Sequence, residues 1–174
     1  AHSPKLIPLK QEAEVIEESL EEVIADRTRF LTAYQNETYA QAYKKRVEAF
    51  TVETNPQLAR DMAINYFKVL SYKDEYEVAR LHLETRAKAE EVFDGDFRMK
   101  VHLSPPLLAK EGPNGRPMKT EYGAGMMRMF PVLAKFKRLR GTAFDPFGRH
   151  PERKMERALI AQYEADMADV IGKF

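Results

Sequence analysis

The sequence predicts an α+β fold that is mainly α: a helical domain with one small antiparallel β-hairpin, about 97–103 with 118–122. Three observations predict it. Apolar side chains recur at three- and four-residue spacing through most of the chain, one stretch after Asp94-Gly95 alternates them at every second residue, and the 174 residues are 44% hydrophobic and 32% charged, the balance of a folded domain rather than a disordered one. A chain of this length buries roughly 70% of the surface it exposes when unfolded, enough for one core or two small lobes.

Residues 1–18 open with Pro4 and Pro8 and show no period, so they read as an extended arm or linker, and 19–174 as a single helical domain. Ser19-Leu20-Glu21-Glu22 has the capping-box form, a hydroxyl followed three residues later by a carboxylate, and Leu20, Val23, Ile24, Leu31 and Tyr34 follow at helical spacing. Tyr39, Tyr43, Val47 and Phe50 continue one face, so 19–51 is one bent helix or two. Asn55-Pro56 is a second helix start. From Leu58 through Met62, Tyr66, Leu70, Tyr76 and Ala79 the stripe is unbroken by Gly or Pro as far as Phe93, which reads as one central helix.

Phe97, Met99, Val101 and Leu103 then alternate with Arg98, Lys100 and His102 as a half-buried strand does. Its nearest partner is Met118 to Tyr122, across a long loop containing Pro105-Pro106 and Gly112-Pro113-Asn114-Gly115. Met126, Met129, Phe130, Leu133 and Phe136 make the apolar face of a helix over about 124–139, bent or delayed by Pro131 and ended by Gly141. Pro151 opens the last helix, with Met155, Ala158, Leu159, Gln162, Tyr163, Met167, Val170 and Ile171 as its face.

The formal charge of +1 hides an asymmetry. Residues 1–94 carry 13 Lys/Arg against 18 Asp/Glu, and between Arg98 and Lys154 there are 13 basic residues against Glu111, Glu121, Asp145 and Glu152. That segment suits an acidic partner or the chain's own acidic half. In Lys135-Phe136-Lys137-Arg138-Leu139-Arg140, Phe136 and Leu139 are expected to point inward and the cations to cover a helix C-terminus, which disfavours nucleic acid.

The chain has no cysteine, which removes disulfides, thiolate nucleophiles and cysteine-ligated clusters. It has no apolar run near the roughly 20 residues of a membrane span, and its opening segment does not read as a signal peptide. A cytoplasmic chain that does not enter membranes is expected. The four histidines lack metal-ligand spacing, Gly123-Ala124-Gly125 lacks the rest of a phosphate loop, and no Gly-x-Ser-x-Gly elbow is present. The densest polar cluster is Tyr72-Lys73-Asp74-Glu75-Tyr76-Glu77-Val78-Ala79-Arg80. Lys73 with Glu77 and Glu77 with Arg80 are expected to pair on one helix face, partly buried. Phe144 and Phe147, flanking Asp145-Pro146, are expected to anchor the turn before the last helix.

Several stretches together resemble one family. Phe30-Leu31-Thr32-Ala33-Tyr34-Gln35, the Tyr72 to Arg80 run, Gly95 to Leu103 with Pro105-Pro106-Leu107-Leu108-Ala109, Leu139 to Gly148, and Glu152 to Ile160 resemble, in order and spacing, the C-terminal domain of the long single-chain bacterial indolepyruvate ferredoxin oxidoreductases. The resemblance implies a parent enzyme that uses thiamine diphosphate, magnesium and iron–sulfur clusters to oxidise aryl pyruvates to acyl-CoA. It places those cofactors in other modules and implies no catalytic, cofactor-binding or metal residue in this chain. The expected role is a non-catalytic structural or docking domain, or accessory subunit, whose partners are the catalytic modules, with a homo-oligomer left open. Tyr72, Lys73, Asp74, Glu77, Arg80, Phe144, Asp145 and Phe147 are its candidate structural or interface residues. Two rival readings stand beside it: a small enzyme using Lys73, Asp74 and Glu77, and a basic adaptor that binds an acidic protein or nucleic acid through 98–154.

Overall fold

The computed structural model describes residues 18–53, 55–93, 97–104, 112, 114, 118–171 and 173; the arm before residue 18 and most of the hairpin loop lie outside the described residues. The order is α1 (Leu20–Tyr34), α2 (Glu37–Glu53), α3 (Pro56–Leu70), α4 (Glu75–Val92), β1 (Val101–Leu103), β2 (Thr120–Tyr122), α5 (Ala124–Lys135), a 3₁₀ segment (Phe136–Leu139) and α6 (Pro151–Ile171). The fold is therefore mainly helical, with one two-stranded antiparallel sheet.

Local chemistry sets the helix starts. The Ser19 hydroxyl accepts from the Glu22 amide at 3.2 Å while the Glu22 carboxylate accepts from the Ser19 amide at 2.8 Å, which closes the capping box and lowers the Glu22 pKa. Asn55 caps α3 by accepting from the Leu58 amide at 2.8 Å. The chain breaks between α1 and α2 at Gln35-Asn36, and Asn36 accepts from the Tyr39 amide to restart it.

The expected central helix from Asn55 to Phe93 is two helices. Ser71 ends α3, and Asp74 caps α4 with its side chain accepting from the Glu77 amide at 2.9 Å. The carbonyls orphaned at this break are satisfied from across the bundle: the Tyr39 hydroxyl donates to Leu70 O and the Tyr34 hydroxyl to Tyr72 O, each at 3.0 Å.

Two apolar clusters result. Val23, Leu31, Tyr34, Tyr43, Val47, Phe50, Met62, Tyr66 and Met167 form the core of a bundle of α1, α2, α3 and α6. Ala79, Val101, Met127 and Phe130 form a smaller one, in which α4 and α5 close on the hairpin. The hairpin register pairs Val101 with Tyr122, His102 with Glu121 and Leu103 with Thr120, and Lys100 bridges to Glu121 at 2.8 Å. The ladder is shorter than expected, since 97–100 and 118–119 lie outside the paired strands, but the alternation holds for Met99, Val101 and Leu103, which pack on the small cluster.

Other expectations are corrected in detail. Helix α5 starts at Ala124 and runs through Pro131, whose missing N–H leaves the Met127 carbonyl without a helical donor; the last turn tightens to 3₁₀. Met129 and Phe136, expected inside, are 60% and 49% exposed. On α6 the buried side is one position round from the expected one: Tyr163, Met167, Val170 and Ile171 face the bundle, whereas Met155 and Leu159 are exposed and their places are taken by Arg153, Glu156 and Ile160. Both sides of α6 carry apolar residues, so the period alone was ambiguous.

Candidate functional site

The expected polar cluster is found at the seam between the two apolar clusters, with only part of its expected membership. Asp74, Glu77, Arg140, Asp145 and Arg153 are its buried charges, each at most 8% exposed. Asp74 is fixed twice, as the α4 cap and as a bidentate acceptor of Arg140, whose Nη2 donates to Oδ1 at 2.8 Å and Nε to Oδ2 at 2.5 Å. Arg140 also donates to the Tyr34 carbonyl at 2.7 Å and to Gln35 Oε1 at 2.8 Å, with its guanidinium 3.7 Å from the Tyr34 ring centre.

Helix α1 has no basic residue in its last turn. Arg140 and Lys137, which donates to the Ala33 carbonyl, supply from a distant segment the positive charge that a helix C-terminus favours. Burial and the nearby Arg80 and Arg140 cations hold the Lys137 pKa below the usual lysine range. The basic segment was expected to complement the end of its own helix; the dipole it serves is that of α1.

Around this pair, Arg80 donates Nε to Glu77 Oε2 at 2.8 Å and Nη2 to Oε1 at 2.7 Å, and lies 5.0 Å from the centre of the Phe30 ring. The expected pair of Glu77 with Arg80 is present. The pair of Lys73 with Glu77 is not: Lys73 precedes the Asp74 cap, outside the helix and exposed, so the four-residue rule does not apply to it, and both Glu77 oxygens are taken by Arg80. Tyr72, also in the connection, packs edge-on against Tyr34 beneath Arg153, and burial raises its pKa. Lys73, Asp74 and Glu77 therefore do not converge as an acid–base set.

Asp145 organises the turn before α6. Its carboxylate accepts from the Tyr76 hydroxyl at 2.9 Å, the Gly141 amide at 3.0 Å and the Phe147 amide at 3.1 Å. Gly141 has φ 75°, a left-handed conformation that glycine adopts without strain. Phe147 packs edge-on against Tyr76 with ring centres 5.4 Å apart. Phe144 does not anchor the turn as expected: it is 82% exposed, because the Asp145 side chain fills the inward position.

A cleft of about 640 Å³ opens elsewhere, beyond the α4 C-terminus, lined by Arg86, Glu90, Phe97, Arg98, Lys100 and Arg128 among others. Arg86 is held by Glu90 and Lys100 by Glu121, each at 2.8 Å. Lys73, Asp74 and Glu77 do not line it. Among the described residues no group of three or more His, Asp or Glu could hold a metal ion, and no helix is long and apolar enough to cross a membrane.

Arg140 and Arg153 are the buried charges of this cluster that sequence reasoning missed, and Arg140 is the central one. One signal was present: a helix ending at Tyr34 without a nearby cation needs one from elsewhere. No curated protein and no solved structure matches the chain. A family model described as a family of unknown function, DUF6537, matches residues 20–174, so the chain belongs to that family.

Proposed function

We propose that the chain is a non-catalytic docking domain, or accessory subunit, of an indolepyruvate-type 2-oxoacid:ferredoxin oxidoreductase. The collinear resemblance from Ser19 to Ile160 supplies the identity of the parent. The observation that carries the docking role is the disposition of the side chains: Asp74, Arg140, Glu77 and Asp145 are spent on one another, on Arg80, on the Tyr76 hydroxyl and on backbone groups, while large apolar side chains stand outside, with Met129, Val132, Phe144, Met155 and Leu159 each more than half exposed. The resemblance places the iron–sulfur clusters, thiamine diphosphate and magnesium in the other modules of the parent; this chain has no cysteine and no Gly-Asp-Gly with a following Asn-Asn.

Reconstitution tests this. The chain mixed with the catalytic modules of the parent, expressed without this domain, is expected to co-elute with them and to raise their stability or their 2-oxoacid-dependent reduction of ferredoxin. Modules that neither bind the chain nor change in its presence would refute the reading, as would a stoichiometric cofactor that survives dialysis of the chain alone.

A further inference from the structure

We propose that the outer face of α5 and its 3₁₀ extension docks against an acidic, apolar surface of the catalytic modules; this rests on the docking role proposed above. Helix α5 is apolar on two opposite sides. Met127 and Phe130 are buried in the small cluster, with Met126, Leu133 and Ala134 against it. On the other side Met129, Val132 and Phe136 follow at three- and four-residue spacing, 60%, 52% and 49% exposed. Single exposed apolar residues are ordinary, but these three stand on one line, and a helix that is apolar all round is normally covered all round.

Charge identifies the occupant. Arg128, Lys135 and Arg138 are exposed beside the stripe, and the sequence has no carboxylate between Glu121 and Asp145 to neutralise them. A second copy packing symmetrically on this face would bring like-charged rims together. Nucleic acid would answer the cations, but the stripe holds one aromatic ring on which a base could stack, beside a methionine and a valine. An apolar surface rimmed with Asp and Glu satisfies both features. The face is also preset: the segment that follows it is pinned to α1 through Lys137 and Arg140, so docking need not order it.

The test uses the complex of the chain with the catalytic modules of the parent. Met129→Glu, Val132→Glu and the reversal Lys135→Glu/Arg138→Glu are each expected to weaken binding about tenfold or more. The reversal should also flatten the salt dependence of Kd. Val92→Glu, at the exposed C-terminal end of α4, serves as the comparison and should change Kd less than any of them. All five side chains are exposed, so the melting temperatures of the free variants should stay with wild type, which keeps a loss of binding readable. A complex that forms with unchanged Kd for the three α5 variants would overturn the assignment of this face and leave the docking role standing; failure of the wild-type chain to bind would remove both. Self-association of the wild type, or its binding to a single-stranded oligonucleotide, abolished by the same substitutions would reassign the face to a second copy or to nucleic acid and overturn the proposal.

Discussion

Asp74→Asn is the substitution that tests the seam. Asparagine caps a helix about as well as aspartate, so the hydrogen bond to the Glu77 amide survives, while the charge is removed and the oxygen that accepts from Arg140 Nε becomes an NH2 that cannot accept. The side chains of Asp74 and Arg140 are 2% and 6% exposed, so water cannot take over the partner's role. Leaving a buried guanidinium unpaired costs about 3–5 kcal/mol, out of a total stability of about 5–15 kcal/mol for a domain. At about 2–4 °C per kcal/mol for a chain of this size, the melting temperature should fall by about 6–20 °C. Arg140→Met should cost a similar amount, because it strands the Asp74 carboxylate and removes the donors to the Tyr34 carbonyl and Gln35. The double variant buries no unpaired charge, so its loss should be smaller than the sum of the two by up to about 3 kcal/mol. Urea unfolding followed by circular dichroism, with the m-value checked for constancy, measures all three. Single losses below about 1 kcal/mol that simply add would place the pair among exposed ion pairs and refute the reasoning.

Three further outcomes follow from the same geometry. Phe147→Ala should destabilise the domain measurably because its ring packs on Tyr76, whereas Phe144→Ala should stay within about 0.5 kcal/mol of wild type; equal melting of the two would refute the placement of the turn. Gly148→Ala would set a Cβ 2.8 Å from Asp145 Oδ2 and 3.0 Å from its Cγ, on a side chain already held by three hydrogen bonds, and should cost about 1–3 kcal/mol, while Gly125→Ala, in open space within α5, should be neutral or stabilising by up to about 1 kcal/mol. Burial raises the pKa values of Tyr34, Tyr39, Tyr43, Tyr66 and Tyr76, so their stabilisation is complete below the unfolded value of about 10 and is lost as pH rises above it; in an alkaline spectrophotometric titration these phenols should ionise together with unfolding, and five that ionise at the ordinary pKa in a chain still folded would refute their burial.

What could be read from the sequence divides along the range of the interactions. The Ser19 and Asn55 caps and the Met99 to Leu103 alternation depend on residues within four positions, and each was legible. The break at Asp74 was equally local, since Asp74 with Glu77 three residues on is itself a helix-start pattern. It was obscured because no Gly or Pro interrupts the chain between Leu58 and Phe93, and apolar residues lie on both sides of the connection, with Leu70 and Tyr76 both buried. The site was less legible, because its central pair joins residues 66 positions apart. A run of five cations within residues 128–140 does not announce which of them turns inward; only the uncompensated end of α1 asks for one. Phe144 and Phe147 look alike in the sequence, and the choice between them is made by Asp145, whose three hydrogen bonds fill the inward position.

The seam has a consequence for how the two clusters are joined. Apolar residues of the same volume in place of Asp74 and Arg140 would be as stable or more so, since a buried ion pair recovers little beyond its own desolvation. They would hold the small cluster against the bundle without direction, whereas the bonds from Arg140 to Asp74 Oδ1 and Oδ2, the Tyr34 carbonyl and Gln35 fix both the distance and the angle at which the 3₁₀ segment meets α1 and α4. The segment so fixed continues directly from α5. An arrangement that spends stability on orientation, next to a helix with an uncovered apolar side, is the one a rigid docking face requires. For that reason Asp74→Asn or Arg140→Met should weaken binding to the catalytic modules even at temperatures where the variant remains folded, although neither residue lies on the docking face.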